Sequence, residues 1–195
     1  PEDDDFNIKE LSKYNDFIFL MAYDEHYGTS TPGPVCSQQW IEKALDEAAK
    51  DIPSEKIILA LAGYGYDWPA STEATTITYQ QALAGARQYN ATINFDNTSY
   101  NNGYQYTDGD GIKHQVYFAD AATNFNTMRF ADEYGTAGTA LWRLGSEDDR
   151  LWAFYGRNLS NEAMQKNSFN FSVFNHVNTP VASPDYIGDG EVLNV

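Results

Sequence analysis

Three short clusters in the sequence gather side chains that can do chemistry: Tyr23-Asp24-Glu25-His26, then Tyr64, Tyr66, Asp67 and Trp68, then Trp142, Arg143, Glu147 and Asp148. Carboxylates beside aromatic rings suit a sugar cleft, because aromatic faces stack on sugar rings and acids bind hydroxyls or move protons. The same residues have plainer uses. Asp24 and Glu25 serve equally well as loop or helix-capping acids, and tyrosines fill cores and rims.

Other reactive residue types form no such pattern. His26, His114 and His176 lack the short spacings of a metal-binding pair, so no metal site is expected. Cys36 is the single cysteine, with no local histidine to activate it and no second thiol to pair with. Asp108-Gly-Asp-Gly111 carries acids, but it lacks the ligand spacing and terminal Glu of a calcium loop and reads as a tight turn. Nothing calls for a cofactor.

Three apolar runs must position the clusters. Asp16–Tyr23, Lys56–Ala62 and Gly138–Trp142 are apolar runs of strand length and read as buried parallel strands. Between the first two, Ser37 is a candidate N-cap for a helix through Lys50, with Trp40, Ala44, Leu45 and Ala48 at helical spacing. Strand, helix and strand in that order make a βαβ unit, whose strands are parallel. A further helix near 121–134 leads to the third run, and another is expected near 149–154. Function in such architectures gathers at the C-terminal strand ends, where all three clusters lie.

Between the second and third runs the texture changes. Residues 78–89 read as a helix. Asn94 to Asp120 is rich in Asn, Tyr and Gly, and its alternating pieces flank the Asp108 turn, so a small α+β insertion around a hairpin is expected over about 75–120. Beyond residue 157, Phe169, Phe171, Val173 and Phe174 are expected to pack a final segment. The Pro- and Gly-containing stretch from Asn178 reads as a linker.

Composition bounds the partners. The 195 residues include 14 Tyr and 4 Trp, and the formal net charge is −16. Such an acidic chain has no footprint for nucleic acid or for an anionic membrane surface. The length falls below the ~250 residues of a complete (β/α)8 barrel, and Pro1 is the first residue, so the chain is expected to begin partway through a longer protein.

These motifs resemble glycoside hydrolase family 18. Phe19-Leu-Met-Ala-Tyr-Asp24 is similar to the Met-x-Tyr-Asp end of that family's sixth barrel strand. Leu59-Ala-Leu-Ala-Gly-Tyr-Gly65, with Trp68 after it, is similar to the seventh, and Gly138-Thr-Ala-Leu-Trp142 with Gly145 and Asp148 to the eighth. The resemblance covers roughly residues 5–155. It implies the C-terminal part of a (β/α)8 TIM barrel, about strands 6–8, over residues 1–157, with residues 158–195 as an extension leading to a following module.

The resemblance also implies a substrate and a mechanism. The substrate would be a β-linked N-acetylglucosamine polymer, cleaved with help from its own acetamido group. Tyr23 would bind that group, Asp24 would bind nearby polar atoms, and Trp142 would floor the reacting sugar. Tyr64, Tyr66, Trp68 and Glu25 are candidate substrate contacts. The family's acid lies in Asp-x-x-Asp-x-Asp-x-Glu, a pattern absent from these 195 residues. Three strands cannot close a barrel, so the missing barrel half or a dimer mate is expected as a partner.

Tyr186–Leu193 resembles a junction found in bacterial proteins that join such a barrel to a polysaccharide deacetylase and a membrane-bound family 2 glycosyltransferase. That implies an extracytoplasmic location. The competing readings are a non-catalytic barrel that holds glycan for such neighbours, and a plain α/β domain with tyrosine-rich rims.

Overall fold

The structure is a computed structural model that describes residues 7–166. The segments expected from residue 167 onward (Phe169 to Phe174, His176, the linker and its junction motif) lie outside the described residues, as do residues 1–6.

Two sheets organise the chain. The first is parallel and has three strands: β1 (Ile18–Met21), β2 (Ile57–Ala62) and β8 (Gly138–Trp142), with β2 in the middle. Leu20 pairs with Leu59 across β1 and β2, and Leu59 with Thr139 across β2 and β8. The parallel pairing expected from the apolar runs is therefore present. After a short helix α1 (Ile8–Leu11), helix α2 (Gln38–Asp51) makes the crossover between β1 and β2, and α4 (Ala121–Glu133) leads into β8. Side-chain alternation sends Leu59 and Leu61 to the helical side. There Leu59 joins Ile41 and Leu45 of α2, and Leu61 joins Phe125 and Met128 of α4.

The opposite face of this sheet is bare at both edges. Phe19 and Met21 of β1 are 59% and 65% exposed, and Trp142 at the end of β8 is 56% exposed.

The second sheet is antiparallel, in the order β4-β3-β7-β6-β5. Its strands are β3 (Tyr64–Pro69), β4 (Thr75–Thr78), β5 (Asn94–Asp96), β6 (Asn101–Thr107) and β7 (Lys113–Phe118). Helix α3 (Tyr79–Gln88) covers one face with Ala82, Leu83 and Ala86 against Tyr104, Val116 and Phe118. Thr78 and Gln81 cap it reciprocally in a capping box. The expected hairpin is β6–β7. Asp108 closes its turn, with Oδ1 accepting the amides of Asp110 and Ile112 at 3.0 and 2.8 Å.

The sheet begins earlier than the expected 75–120 span. Tyr64–Pro69, which follows the second apolar run, is itself a strand that leaves β2 after Gly63 alone. Gly65 is obligatory in it, because a Cβ there would meet the Tyr117 carbonyl oxygen and the Phe118 Cβ at 2.4 Å. The helix expected near 149–154 is a 3-10 turn over Asp149–Ala153, followed by α5 (Asn161–Lys166).

A buried ionic cluster ties the sheets together. Arg150 Nη2 donates to Asp148 Oδ2 at 2.6 Å and to the Tyr79 hydroxyl at 3.1 Å, and it lies 3.8 Å from Asp120. Asp148 also accepts the Ala121 amide, and Asp120 caps α4 at the Thr123 amide. The starts of α3 and α4 and the exit of β8 thus converge on one guanidinium. Removing one partner of a buried pair leaves the other charge uncompensated. Asp148→Ala should therefore lower stability by about 3 kcal/mol, read as a lower urea midpoint with an unchanged denaturant slope.

Candidate functional site

The site forms where β1 ends and β3 begins. Ala22 is the last residue of the run to bond along the sheet, its amide donating to the Ala60 carbonyl at 3.3 Å. Tyr23 and Asp24 then rise above the strand end. Asp24 has φ +63°, a left-handed conformation that costs a non-glycine residue energy unless its surroundings enforce it.

The surroundings do enforce it. Asp24 Oδ1 accepts hydrogen bonds from the Tyr64 hydroxyl at 2.5 Å and from the Tyr66 hydroxyl at 2.9 Å. Both phenols come from β3, two residues apart, so alternation places them on one face. Burial, and then the hydrogen bond to the Asp24 carboxylate, raise the Tyr64 phenol well above its ordinary range. The same causes push Tyr66 up to about 12. Both hydroxyls stay protonated donors at every physiological pH.

Tyr23 stands edge-on to Tyr64, with ring centroids 6.1 Å apart. It is partly buried, and its hydroxyl has no hydrogen-bond partner among the described residues. Burial, followed by the charge of Asp24, raises it too. The site therefore offers one free hydroxyl donor beside one carboxylate.

The other expected residues divide. Glu25 bonds to backbone on both sides: its Oε2 accepts the Ser37 amide at 2.7 Å, and its own amide donates to the Val35 carbonyl. Glu25 is thus the loop acid at the start of α2, where Ser37 makes no side-chain cap of its own. Tyr64 and Tyr66 are 5% and 8% exposed, so their rings present no open face for stacking.

Trp68 stands at the end of an aromatic row that runs from Tyr23 through Tyr64 and Tyr66. It lies on β3, 4% exposed, packed against Tyr66 and edge-on to Tyr117. Tyr117, from β7, was hidden in the His114–Phe118 alternation and completes this aromatic row. Trp142 does reach the open face. The register pairs it with Ala62, and its carbonyl accepts the Gly63 amide at 2.7 Å. Trp142 thus sits beside β2, and the Tyr23 loop on the other side of it. The peptide bond from Trp142 to Arg143 is cis. Glu147 and Asp148 are buried, Glu147 accepting from the Trp152 indole and Asp148 from Arg150.

The remaining candidates are structural. Cys36 is buried, and burial raises its thiol far above the range of a reactive thiolate. His26 lies over Gly33, with Nδ1 2.9 Å from the Thr31 carbonyl. His114 bridges Asp67 and Asp108. No group of three His, Cys, Asp or Glu able to hold a metal ion occurs among the described residues.

A carboxylate and a free tyrosine hydroxyl thus lie at the C-terminal end of a parallel strand in an α/β fold, with an exposed tryptophan two strands away. The sequence model of glycosyl hydrolases family 18 matches residues 1–148, and the chain belongs to that family. The uncharacterized glycosylase YvbX of Bacillus subtilis (strain 168) is 29% identical over 149 residues, covering 75% of this chain and 43% of that protein. The cortical fragment-lytic enzyme of the same organism is 30% identical over 142 residues, covering 70% of this chain and 33% of that protein. Among solved structures, the chitinase from Chromobacterium violaceum ATCC 12472 superposes with a TM-score of 0.74 at 30% identity, covering 79% of this chain and 49% of that one. The chain spans less than half the length of each of these relatives.

The left-handed backbone at Asp24 separates its side chain from its conformation. Asp24→Gly relieves the backbone cost and Asp24→Ala does not. The glycine variant should be the more stable of the two by about 1 kcal/mol, measured as the difference in urea unfolding free energy.

Proposed function

We propose that the chain is part of a family 18 glycosidase that acts on β-linked N-acetylglucosamine polymers by substrate-assisted catalysis. Its three parallel strands would be neighbouring staves of a larger (β/α)8 barrel. The observation that carries the reading is the Asp24 carboxylate, fixed by two phenols beside the free Tyr23 hydroxyl. The names of its relatives, a chitinase and a cortical fragment-lytic enzyme, point to the same class of amino-sugar polymer.

In this mechanism a carboxylic acid protonates the glycosidic oxygen. The acetamido carbonyl oxygen of the substrate attacks the anomeric carbon as its bond to the glycosidic oxygen breaks and the protonated leaving sugar departs as an alcohol, and water later opens the ring so formed. The Tyr23 hydroxyl donates to the acetamido oxygen and holds it in line. Asp24, as an acceptor, takes a hydrogen bond from the sugar. Trp142 supplies an apolar face beneath the ring. The protonating acid belongs to the part of the barrel that this chain does not contain.

The junction motif in residues 186–193 extends the proposal to a fused deacetylase and glycosyltransferase outside the cytoplasmic membrane. In that setting a barrel without its acid would hold glycan for its neighbours. The residue at the end of the barrel's fourth strand decides between the two: Glu for cleavage, any non-acid for binding.

Trp142→Ala in the full-length protein should weaken binding of chito-oligosaccharides by about 1–3 kcal/mol, measured by titration calorimetry. An unchanged affinity removes Trp142 from the site. The purified 195-residue chain should release no fluorophore from a fluorogenic chitobioside, and turnover by it would show that the acid is present after all.

A further inference from the structure

The residues around Asp24 do more than line a cleft. Tyr64 and Tyr66 each have a single hydroxyl proton, and both protons go to Asp24 Oδ1. That oxygen is filled. Asp24 Oδ2 has no partner among the described residues. The backbone is restrained separately. Directly after the left-handed Asp24, the Glu25 amide is bonded to the Val35 carbonyl at 3.0 Å. The Glu25 carboxylate then takes the Ser37 amide and fastens the loop to the start of α2. A further bond, from the Ala74 amide to the Gly28 carbonyl, ties the middle of the loop to the second sheet. Tyr66 is itself held between β4 and β7, paired with Thr76 and Tyr117.

We propose that Tyr64, Tyr66 and Glu25 are positioning residues that hold Asp24 with Oδ1 occupied and Oδ2 presented as the single acceptor for a ligand N–H or O–H. Tyr64, Tyr66 and Glu25 are then not sugar contacts, and the antiparallel sheet, through Tyr66, sets the aim of a carboxylate that belongs to the parallel one. The phenols and the Glu25 staple oppose the left-handed backbone cost from two sides, so loss of either loosens both. The positioning role stands without the glycan reading; only the identity of the ligand as a sugar rests on it.

Amide hydrogen exchange in the 195-residue chain tests this. Tyr64→Phe and Tyr66→Phe keep the rings and remove only the hydroxyls. Each should speed exchange at the Glu25 and Ser37 amides about tenfold and leave Leu59 and Leu61 of β2 unchanged. Glu25→Ala should do the same, and Glu25→Gln, whose amide oxygen still accepts, should restore most of the protection. Tyr104→Phe removes an equally buried hydroxyl, bonded to the Ala82 carbonyl, and should leave the loop as it was.

Unchanged exchange at Glu25 and Ser37 in both phenylalanine variants overturns the proposal. Equal acceleration at Leu59 and Leu61 also does, since the hydroxyls would then support the fold as a whole. In the full-length protein, lost tetra-N-acetylchitotetraose binding with an unaltered exchange pattern would make the phenols ligand contacts and likewise sink it. Absence of that binding in the unmutated full-length protein defeats the glycan reading alone, and the exchange results then still decide the positioning role.

Discussion

The architecture turns on the single residue between β2 and β3. Gly63 donates its amide to Trp142 in the parallel sheet, and the next residue, Tyr64, accepts the Ala119 amide beside the antiparallel one. The chain changes sheets without a loop. Gly63 has little room for a side chain, because a Cβ would come within 3.1 Å of Glu147 Cβ and 3.2 Å of Leu141 Cδ1. A direct passage leaves no slack between the sheets, so the side chains on β3 have a fixed height above the end of β1. Tyr64 and Tyr66 meet Asp24 for that reason. A flexible linker at residue 63 would let the second sheet drift, and a drift of one ångström is enough to lose a hydrogen bond.

The buried ionic cluster serves the same constraint from the other side. Arg150, Asp148, Asp120 and Tyr79 join the starts of α3 and α4 to the exit of β8. The second sheet is thus pinned at both its points of departure from the first, where β3 leaves and where β7 returns through Ala119. By contrast, the far face of the parallel sheet carries no such ties. Phe17, Phe19, Met21 and Trp142 are exposed there. A sheet face bearing phenylalanine and methionine in water forfeits the burial that such side chains normally supply. In the larger barrel of the proposed function, that face would turn inward and the Trp142 end would open to the ligand.

Much of this was legible in the sequence. The three apolar runs announce parallel strands, but of the three only β2 is buried: Phe19 and Met21 of β1 are exposed, and no residue of β8 is buried. The helices over 78–89 and 121–134 were legible as well, and the Asp108 turn from its glycines. The aromatic cluster after β2 was harder to place. Tyr64-Gly-Tyr-Asp-Trp-Pro69 looks like a loop by composition, yet its period of two is that of a strand, with Tyr64, Tyr66 and Trp68 on one face and Gly65 and Asp67 on the other. Gly65 is there for a close approach of backbone, not for a turn, and single-residue propensity cannot tell those uses apart.

The same ambiguity governs which aromatics can touch a ligand. Residue type gives tyrosine and tryptophan one reading whether buried or bare, and burial alone assigns the work. Trp68 and Trp142 each follow a strand-end motif, but Trp68 is paired with Gln115 of β7 and buried, while Trp142 stands exposed on an edge strand. A stacking platform needs an accessible ring, and of the two only Trp142 is exposed. Tyr64 and Tyr66 spend their rings on packing and their hydroxyls on Asp24, whereas Tyr23 spends only its ring. In the proposed function, a hydroxyl left unbonded at a strand end, beside a carboxylate with one oxygen already filled, would separate the residues that meet the ligand from those that aim them.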